Sequence, residues 1–545
     1  MTNRNIRYAL LAAILVSVGM LAGFQLKETL PSQNKRAQIS SGFSKIQDAI
    51  YFVERNYVKE TDTEKMVDDA IKGMLEGLDP HSFYISAKEM ALMQEQMQGS
   101  FEGIGVEFNI LEDTLYVVSA LSGGPSEKVG IQAGDRIITI NDEDIVGITN
   151  AKVMEKLRGK KGTQVMVDIV RRGVSGTLPF TIVRDKIPIY SVDFSYMVDD
   201  ETGYLKLSRF AQTTHDEFRD HTQELLDKGM KNMVLDLRGN PGGYMQMAEK
   251  IADEFLGKGK MVVYTEGRTK DSKSSYKATS YLDLFEEGAL VILLDYGSAS
   301  ASEIVAGAVQ DWDRGLLVGV RSFGKGLVQN QKEFSDGSAM RLVISQYYTP
   351  SGRCIQKPFE MSSEEYEEEI LERFESGEIY DASKIDLPDS LKFKTNAGRT
   401  VYGGGGILPD VFVARDTTLD SKYLTMLISR ATFRQFSYEY LDQNPKLGDE
   451  LGTAERFVKE FKVDDALMNQ FTAFAEKKGI PLVEEDLATS RKDIEIFVKA
   501  FIGRRYFKDD GFYPVYHQSD NVLRRAVELM PEARQLQKKG KVTLK

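Results

Sequence analysis

The chain has 545 residues, 42% of them apolar and 28% charged, which is ordinary globular composition with material for several packed cores. A formal net charge of −12 lacks the concentrated basic surface that nucleic acid requires. One cysteine, Cys354, excludes an intrachain disulfide or a cysteine zinc site, and the scattered His81, His215, His221 and His517 have no ligand spacing, so neither metal nor cofactor is expected.

Residues 1–7 carry two arginines and no acid, and they lead into an uncharged apolar run over 8–24. That order is a secretory n-region and h-region. Its 17 residues sit at the lower limit for a bilayer-spanning helix. No clean A-x-A cleavage site and no lipobox cysteine follows, which favours an uncleaved anchor over a cleaved signal in 1–25. The rest of the chain is then expected in the cell envelope, on the periplasmic side of the inner membrane, anchored or secreted.

Residues 40–98 read as helices, with apolar stripes at Ile46, Ile50, Phe52 and Val53 and at Met66, Ala70, Ile71, Met74 and Leu75. A turn at 77–80 interrupts them, and no chemistry is visible there. Over 99–187, short β-rich runs (106–110, 114–119, 136–140, 164–171, 178–184) surround one helix near 149–158, the pattern of a compact β-rich module. From 188 to 415, apolar runs at 203–207, 233–237, 261–264, 289–294 and 315–320 alternate with helical stretches at 212–229, 244–257 and 300–312. Such alternation argues for an α/β core with largely parallel strands. An acidic helical insertion, within 357–395, reads as a solvated face. Residues 416–545 are helical, and their stripes (Leu424, Leu427, Ile428, Ala431; Ile494, Phe497, Val498, Phe501) are packing faces.

Three segments carry chemistry. The first, Gly297-Ser298-Ala299-Ser300-Ala301-Ser302-Glu303, follows an apolar run and opens a helical pattern. A serine at a strand-to-helix turn presents its hydroxyl to the crevice at the strand's carboxyl end, beside unpaired amides that can hold an oxyanion. Serines also cap helices, so this segment alone leaves both roles open. The second, Phe323-Gly324-Lys325-Gly326-Leu327-Val328-Gln329, sets a lysine between glycines after the next apolar run. If the two strands are neighbours, Lys325 can reach a serine hydroxyl. Burial would favour its uncharged amine, and Gln329 could hold it by a hydrogen bond. A surface lysine in a glycine turn is the plain alternative. The third, Asp236-Leu237-Arg238-Gly239-Asn240-Pro241-Gly242-Gly243, lacks both the P-loop follow-on and the dinucleotide fingerprint. It leaves an oxyanion donor or a tight turn.

Together these segments resemble the carboxyl-terminal processing peptidases, S41 serine peptidases with a Ser–Lys dyad. The resemblance implies an α/β peptidase core of crotonase/ClpP-like layers with an inserted β-rich PDZ domain and all-α N- and C-terminal regions. It makes Ser300, the one serine 25 positions before Lys325, the nucleophile. Lys325 is then the base, Gln329 orients it, and Ala301 with Gly242 or Gly243 forms the oxyanion hole. Phe101-Glu102-Gly103-Ile104-Gly105-Val106 resembles a PDZ carboxylate-binding loop, and residues 133–141 (AGDRIITIN) resemble a PDZ signature. Gly103, Ile104, Gly105 and Val106 would then hold a polypeptide's C-terminus, with Val153 and Leu157 lining the groove. Arg171, Arg172 or Arg184 would report the bound ligand to the active site.

The implied function is an exported serine endopeptidase that recognises polypeptide C-termini and works through an acyl-enzyme. Its expected partners are polypeptides with accessible C-termini, and an adaptor or second copy at the C-terminal helices. The rivals are a membrane-tethered PDZ scaffold with an inactive core and a crotonase-like acyl-CoA enzyme. The latter has no use for an export signal or a PDZ module.

Overall fold

The computed structural model describes residues 33–111, 113–121, 123–171, 173–358 and 363–540. The expected signal or anchor at 1–25 and Arg172 lie outside these residues. Among the described residues no helix is long and apolar enough to cross a membrane. The chain divides into two compact units at Asp79/Pro80. The first contains α1 (Gln33–Asn56) and α2 (Thr63–Glu76), the latter capped by Asp62, whose carboxylate accepts the Lys65 amide at 3.0 Å.

The second unit opens with β1 (Phe83–Ile85), α3 (Ala87–Gln98) and β2 (Ser100–Gly103). Strand β1 lies where the sequence reads as helical beyond the 77–80 turn. The preceding helix ends at Glu76 with Gly77 as its C-cap, and Phe83-Tyr84-Ile85 is a sequence that favours extended backbone. The β-rich module follows as β3 (Val106–Leu111), β4 (Thr114–Ala120), β5 (Arg136–Ile140), α4 (Asn150–Leu157), β6 (Gln164–Val170) and β7 (Leu178–Val183). Its antiparallel sheet has the order β3-β4-β5-β6-β7, which leaves β3 at an edge. Then β8 (Asp185–Pro188) returns to pair with β2.

The core contains β9 (Val192–Met197), β10 (Thr202–Leu207), α5 (Thr214–Asp227), β11 (Asn232–Asp236), α6 (Met245–Asp253), β12 (Met261–Gly267), β13 (Ser274–Lys277), β14 (Ala289–Leu294), α7 (Ala301–Asp311), β15 (Leu316–Gly319), β16 (Leu327–Glu333) and β17 (Ala339–Tyr348). After these come α8 (Ser363–Glu375) and β18 (Val411–Phe412). The large sheet runs β9-β10-β11-β14-β15-β18 and is parallel from β10 onward. Strands β11 and β14 are buried at every position, as a strand covered on both faces must be. The run at 261–264 does not join this sheet. The Gly-Lys-Gly-Lys turn before it, with Gly259 at φ +86°, redirects the chain into a second sheet ordered β1-β17-β12-β13, with β16 also on β17.

Helices α5, α6 and α7 cover one face of the large sheet through Phe218, Ile251 and Val305 against Leu205, Leu235 and Ile292. Each such apolar side chain contributes roughly 2 kcal/mol by leaving water. The C-terminal region serves two cores. Helices α9 (Lys422–Ser429), α10 (Thr432–Gln443), α11 (Asp465–Lys477) and α12 (Glu484–Tyr516) enclose an aromatic cluster that includes Phe433, Phe436, Phe471 and Phe512. Helices α13 (Asn521–Glu528) and α14 (Met530–Gly540) cover the other face of the large sheet, Leu523, Ala526 and Leu529 packing on Val234, Val291 and Leu293. The acidic insertion is not simply solvated. Tyr366 and Arg373 of α8 are each 3% exposed.

Candidate active site

Strand β14 ends at the centre of the large sheet, and six residues later Ser300 starts α7 with φ 56° and ψ −110°. A non-glycine residue in that region stores about 1–3 kcal/mol of strain, which persists only where surrounding contacts dictate it. Here they do. The flanking serines are committed to structure: Ser298 Oγ donates to Leu237 O and Ser302 Oγ to Asn240 O, each at 2.9 Å and fully buried. The Ser300 side chain instead faces the first turn of α7, in a capping box with Glu303, and among the described residues no carbonyl accepts from its Oγ.

The loop after β11 is held equally firmly. Asn240 is buried, its Nδ2 donating to Leu207 O at 2.8 Å and its Oδ1 accepting the Gly242 amide at 2.9 Å. The bend brings Gly242 against the Ser300 turn: a β-carbon there would lie 2.9 Å from both Ala301 N and Ser300 Cβ. Phe210 N donates to Gly242 O and Tyr244 N to Phe210 O, so the Gly243 amide between them is left over. Among the described residues the amides of Gly243 and Ala301 donate to nothing. Below the loop, burial would push the Asp236 carboxyl up, but the Arg238 and Lys206 cations and the hydrogen bonds from Arg238 hold it below its usual range. Arg238 also pairs with Asp520 at 2.7 Å, tying this loop to the cap of α13.

Strand β15 lies beside β14, so the loop that bears Lys325 emerges next to Ser300. The carboxylate of Glu303, fully buried, joins the two. Its Oε2 accepts the Ser300 amide at 2.8 Å and the Lys325 amide at 2.9 Å, while Oε1 accepts the Gly324 amide at 2.7 Å and the Ser322 hydroxyl. Burial raises the Glu303 pKa, and these four donors oppose that rise. Tyr347 Oη contacts the Ser300 and Lys325 carbonyls at 3.1 and 2.9 Å.

Lys325 Nζ donates to Gln329 Oε1 at 3.2 Å. Among the described residues no hydrogen bond joins it to Ser300 Oγ. Burial is the main cause that lowers the Lys325 pKa, with the Arg341 charge adding to it and Glu303 opposing. Gln329 Nε2 in turn donates to the His81 carbonyl. Sequence reasoning missed this contact, because a backbone acceptor has no residue signature. It also read α8 as a solvated face and so missed its inward contacts, where Arg373 donates to the Ser322 carbonyl at 2.8 Å and the Phe323 carbonyl at 3.2 Å. The ammonium of Lys357 lies 4.3 Å from the Phe323 ring centre and 3.9 Å from that of Tyr366. Among the described residues no group of three or more His, Cys, Asp or Glu could hold a metal ion.

In the β-rich module, Gly103, Ile104 and Gly105 are buried and Val106, at the start of edge strand β3, is half-buried. Ser126 Oγ donates to Ile104 O at 2.7 Å and shapes the loop. Val153 and Leu157 do not line an open groove: at 0% and 4% exposure they belong to the module's core, because their i, i+4 spacing places both on the face of α4 that the sheet claims. Arg171 is bidentate on Asp135, both contacts at 2.7 Å. Arg184 caps the end of α4 through the Lys156 and Leu157 carbonyls at 2.8 and 3.0 Å. Both brace the module internally, and neither touches Ser300 or Lys325.

Comparison with known proteins follows the same division. Residues 201–361 match peptidase family S41, 92–170 the PDZ domain, 15–89 the N-terminal domain of the activating protease CtpB, and 423–509 a family of unknown function, DUF8443. The carboxy-terminal processing protease CtpA of Bacillus subtilis (strain 168) is 37% identical over 318 residues, 58% of this chain and 67% of its own. The carboxy-terminal-processing protease of Bartonella bacilliformis is 37% identical over 349 residues, 63% of this chain and 79% of its own. Among solved structures, the photosystem II D1 C-terminal processing protease is 25% identical, covering 68% of this chain and 93% of its own at a TM-score of 0.35. With an α/β core, an inserted PDZ domain and this identity to curated relatives, the chain belongs to the carboxy-terminal processing proteases, serine peptidases of family S41.

Proposed function

We propose that the chain cleaves polypeptides through a Ser300–Lys325 dyad and an acyl-enzyme. The observation that carries this reading is the Glu303 carboxylate, which accepts the amides of Ser300 and Lys325 at 2.8 and 2.9 Å and so holds both loops at one carboxyl edge of the sheet. Substrate entry lets Lys325 leave Gln329 and turn toward Ser300. Its neutral amine takes the Ser300 proton as Oγ bonds to the scissile carbonyl carbon. The oxyanion rests on the Ala301 and Gly243 amides; Gly242, whose amide serves Asn240, supplies the bend instead. Collapse breaks the C–N bond, and the Lys325 ammonium returns the proton to the leaving amine. Water then attacks the ester with Lys325 again as base, releasing the acid and restoring Ser300.

The substrates we infer are polypeptides whose C-termini add to β3, the edge strand of the PDZ sheet, near the 103–106 loop. The n-region and h-region in 1–25 support export and work in the cell envelope. The test is cleavage of an unfolded polypeptide such as casein by the full chain. Ser300→Ala and Lys325→Ala each lose all turnover with unchanged circular dichroism; near-normal turnover in either removes the dyad.

A further inference from the structure

Strands β16 and β17 are antiparallel, with Gln329 opposite Val343 and Gln331 opposite Arg341. Cross-strand partners share a face, and so do residues two apart along a strand. Gln329 and Arg341 therefore stand on the same side of the sheet, one pair apart. Strand β1 extends that face, with Phe83 opposite Arg341. Lys325 Nζ is held at the same place by its bond to Gln329 Oε1.

Arg341 is an unusual resident there. It is half-buried, yet its contacts are all neutral: Nη2 donates to Gln331 Oε1 at 3.0 Å and lies 2.7 Å from Met93 Sδ, and the guanidinium is 5.8 Å from the Phe83 ring centre. Among the described residues no carboxylate pairs with it. A half-buried cation without a counter-ion costs stability, and a neutral residue would pack there at no such cost. Its charge is also permanent, because guanidinium does not release its proton in working conditions.

The charges that act on Lys325 come from two directions. Glu303, on α7, draws a proton toward the amine; Arg341, on β17, repels it. The phenol of Tyr244 faces Arg341; Gln329 Oε1 meets the Lys325 amine and Tyr347 Oη the Lys325 carbonyl, while the His81 carbonyl meets Gln329, and all of these are neutral groups. Glu303 has four hydrogen bonds to satisfy, so its carboxylate is committed to the loops. Arg341 has no such duty.

We propose that Arg341 is a positioning residue for the base: its fixed, uncompensated charge beside the Gln329 anchor keeps the Lys325 amine in its proton-accepting form. The proposal rests on the dyad reading and adds to it the group that tunes the dyad. Removing the charge while keeping the bulk lets Lys325 hold its proton to higher pH. An upward displacement of the activity midpoint is expected when one like charge is lost from partly buried surroundings, and turnover at a pH below the midpoint then falls roughly tenfold.

The experiment is the pH dependence of kcat/KM of the full chain on casein, for the wild type, Arg341→Met and Arg341→Lys. Arg341→Met is expected to move the midpoint up by about one unit while keeping the high-pH plateau, and Arg341→Lys to keep the wild-type midpoint. A packing role would lower the plateau and leave the midpoint in place, and that outcome overturns the proposal. If Arg341→Met does not fold, Arg341→Gln, which can still donate to Gln331, is read in the same way. An unmoved midpoint together with an inactive Lys325→Ala rejects the tuning role alone, whereas an active Lys325→Ala rejects the dyad itself.

Discussion

Tyr347 grips by the carbonyl side the same two residues that Glu303 grips by the amide side. The phenol meets Ser300 O and Lys325 O, and the carboxylate accepts Ser300 N and Lys325 N. Both side chains are buried, Tyr347 at 1% exposure and Glu303 at 0%. The peptide units of the two loops are thus fixed to one another, and only side-chain rotation is left for catalysis.

Loss of either grip is expected to reduce turnover before substrate affinity. Tyr347→Phe keeps the ring and removes the hydroxyl, at a cost of about 1–2 kcal/mol of stability. Glu303→Gln turns an amide donor toward at least one of four N–H or O–H groups and costs about 3 kcal/mol. Urea unfolding and steady-state kinetics read both. A kcat unchanged in both variants, with stability reduced, would show that the junction serves folding alone.

Burial of Lys325 makes stability depend on pH in a definite direction. Its folded pKa lies below the 10.5 of a free lysine, so between those two values the unfolded chain binds a proton that the folded chain does not. Stability attributable to this site therefore rises with pH across that window, and below it the buried ammonium is a constant penalty. Lys325→Met is expected to be more stable than the wild type at neutral pH, with the gap closing as pH approaches 10.5. Urea midpoints taken across the alkaline range check this, and a gap that widened with pH would contradict it.

Gly242 has φ +98°, and a β-carbon there would meet Ala299 O at 2.8 Å and Ala301 N at 2.9 Å. Gly242→Ala must displace the first turn of α7 and with it the proposed oxyanion donors. A loss of about a hundredfold or more in kcat is expected, the size of effect seen when one such donor is removed. Binding of a C-terminal peptide to the PDZ module, measured by fluorescence anisotropy, should be unchanged. Full activity in this variant would place the oxyanion elsewhere.

The parts of this molecule that could be read from its sequence are those with a local pattern. Apolar runs alternating with helical spacing gave the strands β10, β11, β14 and β15, because buried parallel strands must be apolar throughout. Ser300 was chosen through the resemblance to the processing peptidases, whose serine stands 25 positions before the lysine; Ser298 and Ser302 spend their hydroxyls on the Leu237 and Asn240 carbonyls. Long-range relationships were not legible. Arg238 and Asp520 are 282 residues apart, and nothing in either segment names the other. In α8 the abundant glutamates masked an inward pair, Glu369 and Arg373, that closes a charged cluster with Lys357 beside the 322–325 loop. For Val153 and Leu157, the resemblance to a PDZ domain implied a groove-lining face, whereas in the structure both are buried in the module's core.

The contact between Gln329 and residue 81 has a practical consequence. What the glutamine uses is a peptide oxygen, while the imidazole of His81 packs edge-on to Tyr366, with ring centres 4.7 Å apart. Trimming the His81 side chain would leave this peptide oxygen in place. The main chain itself must be moved, by inserting a residue or by replacing the amide with an ester, before Gln329 loses this acceptor.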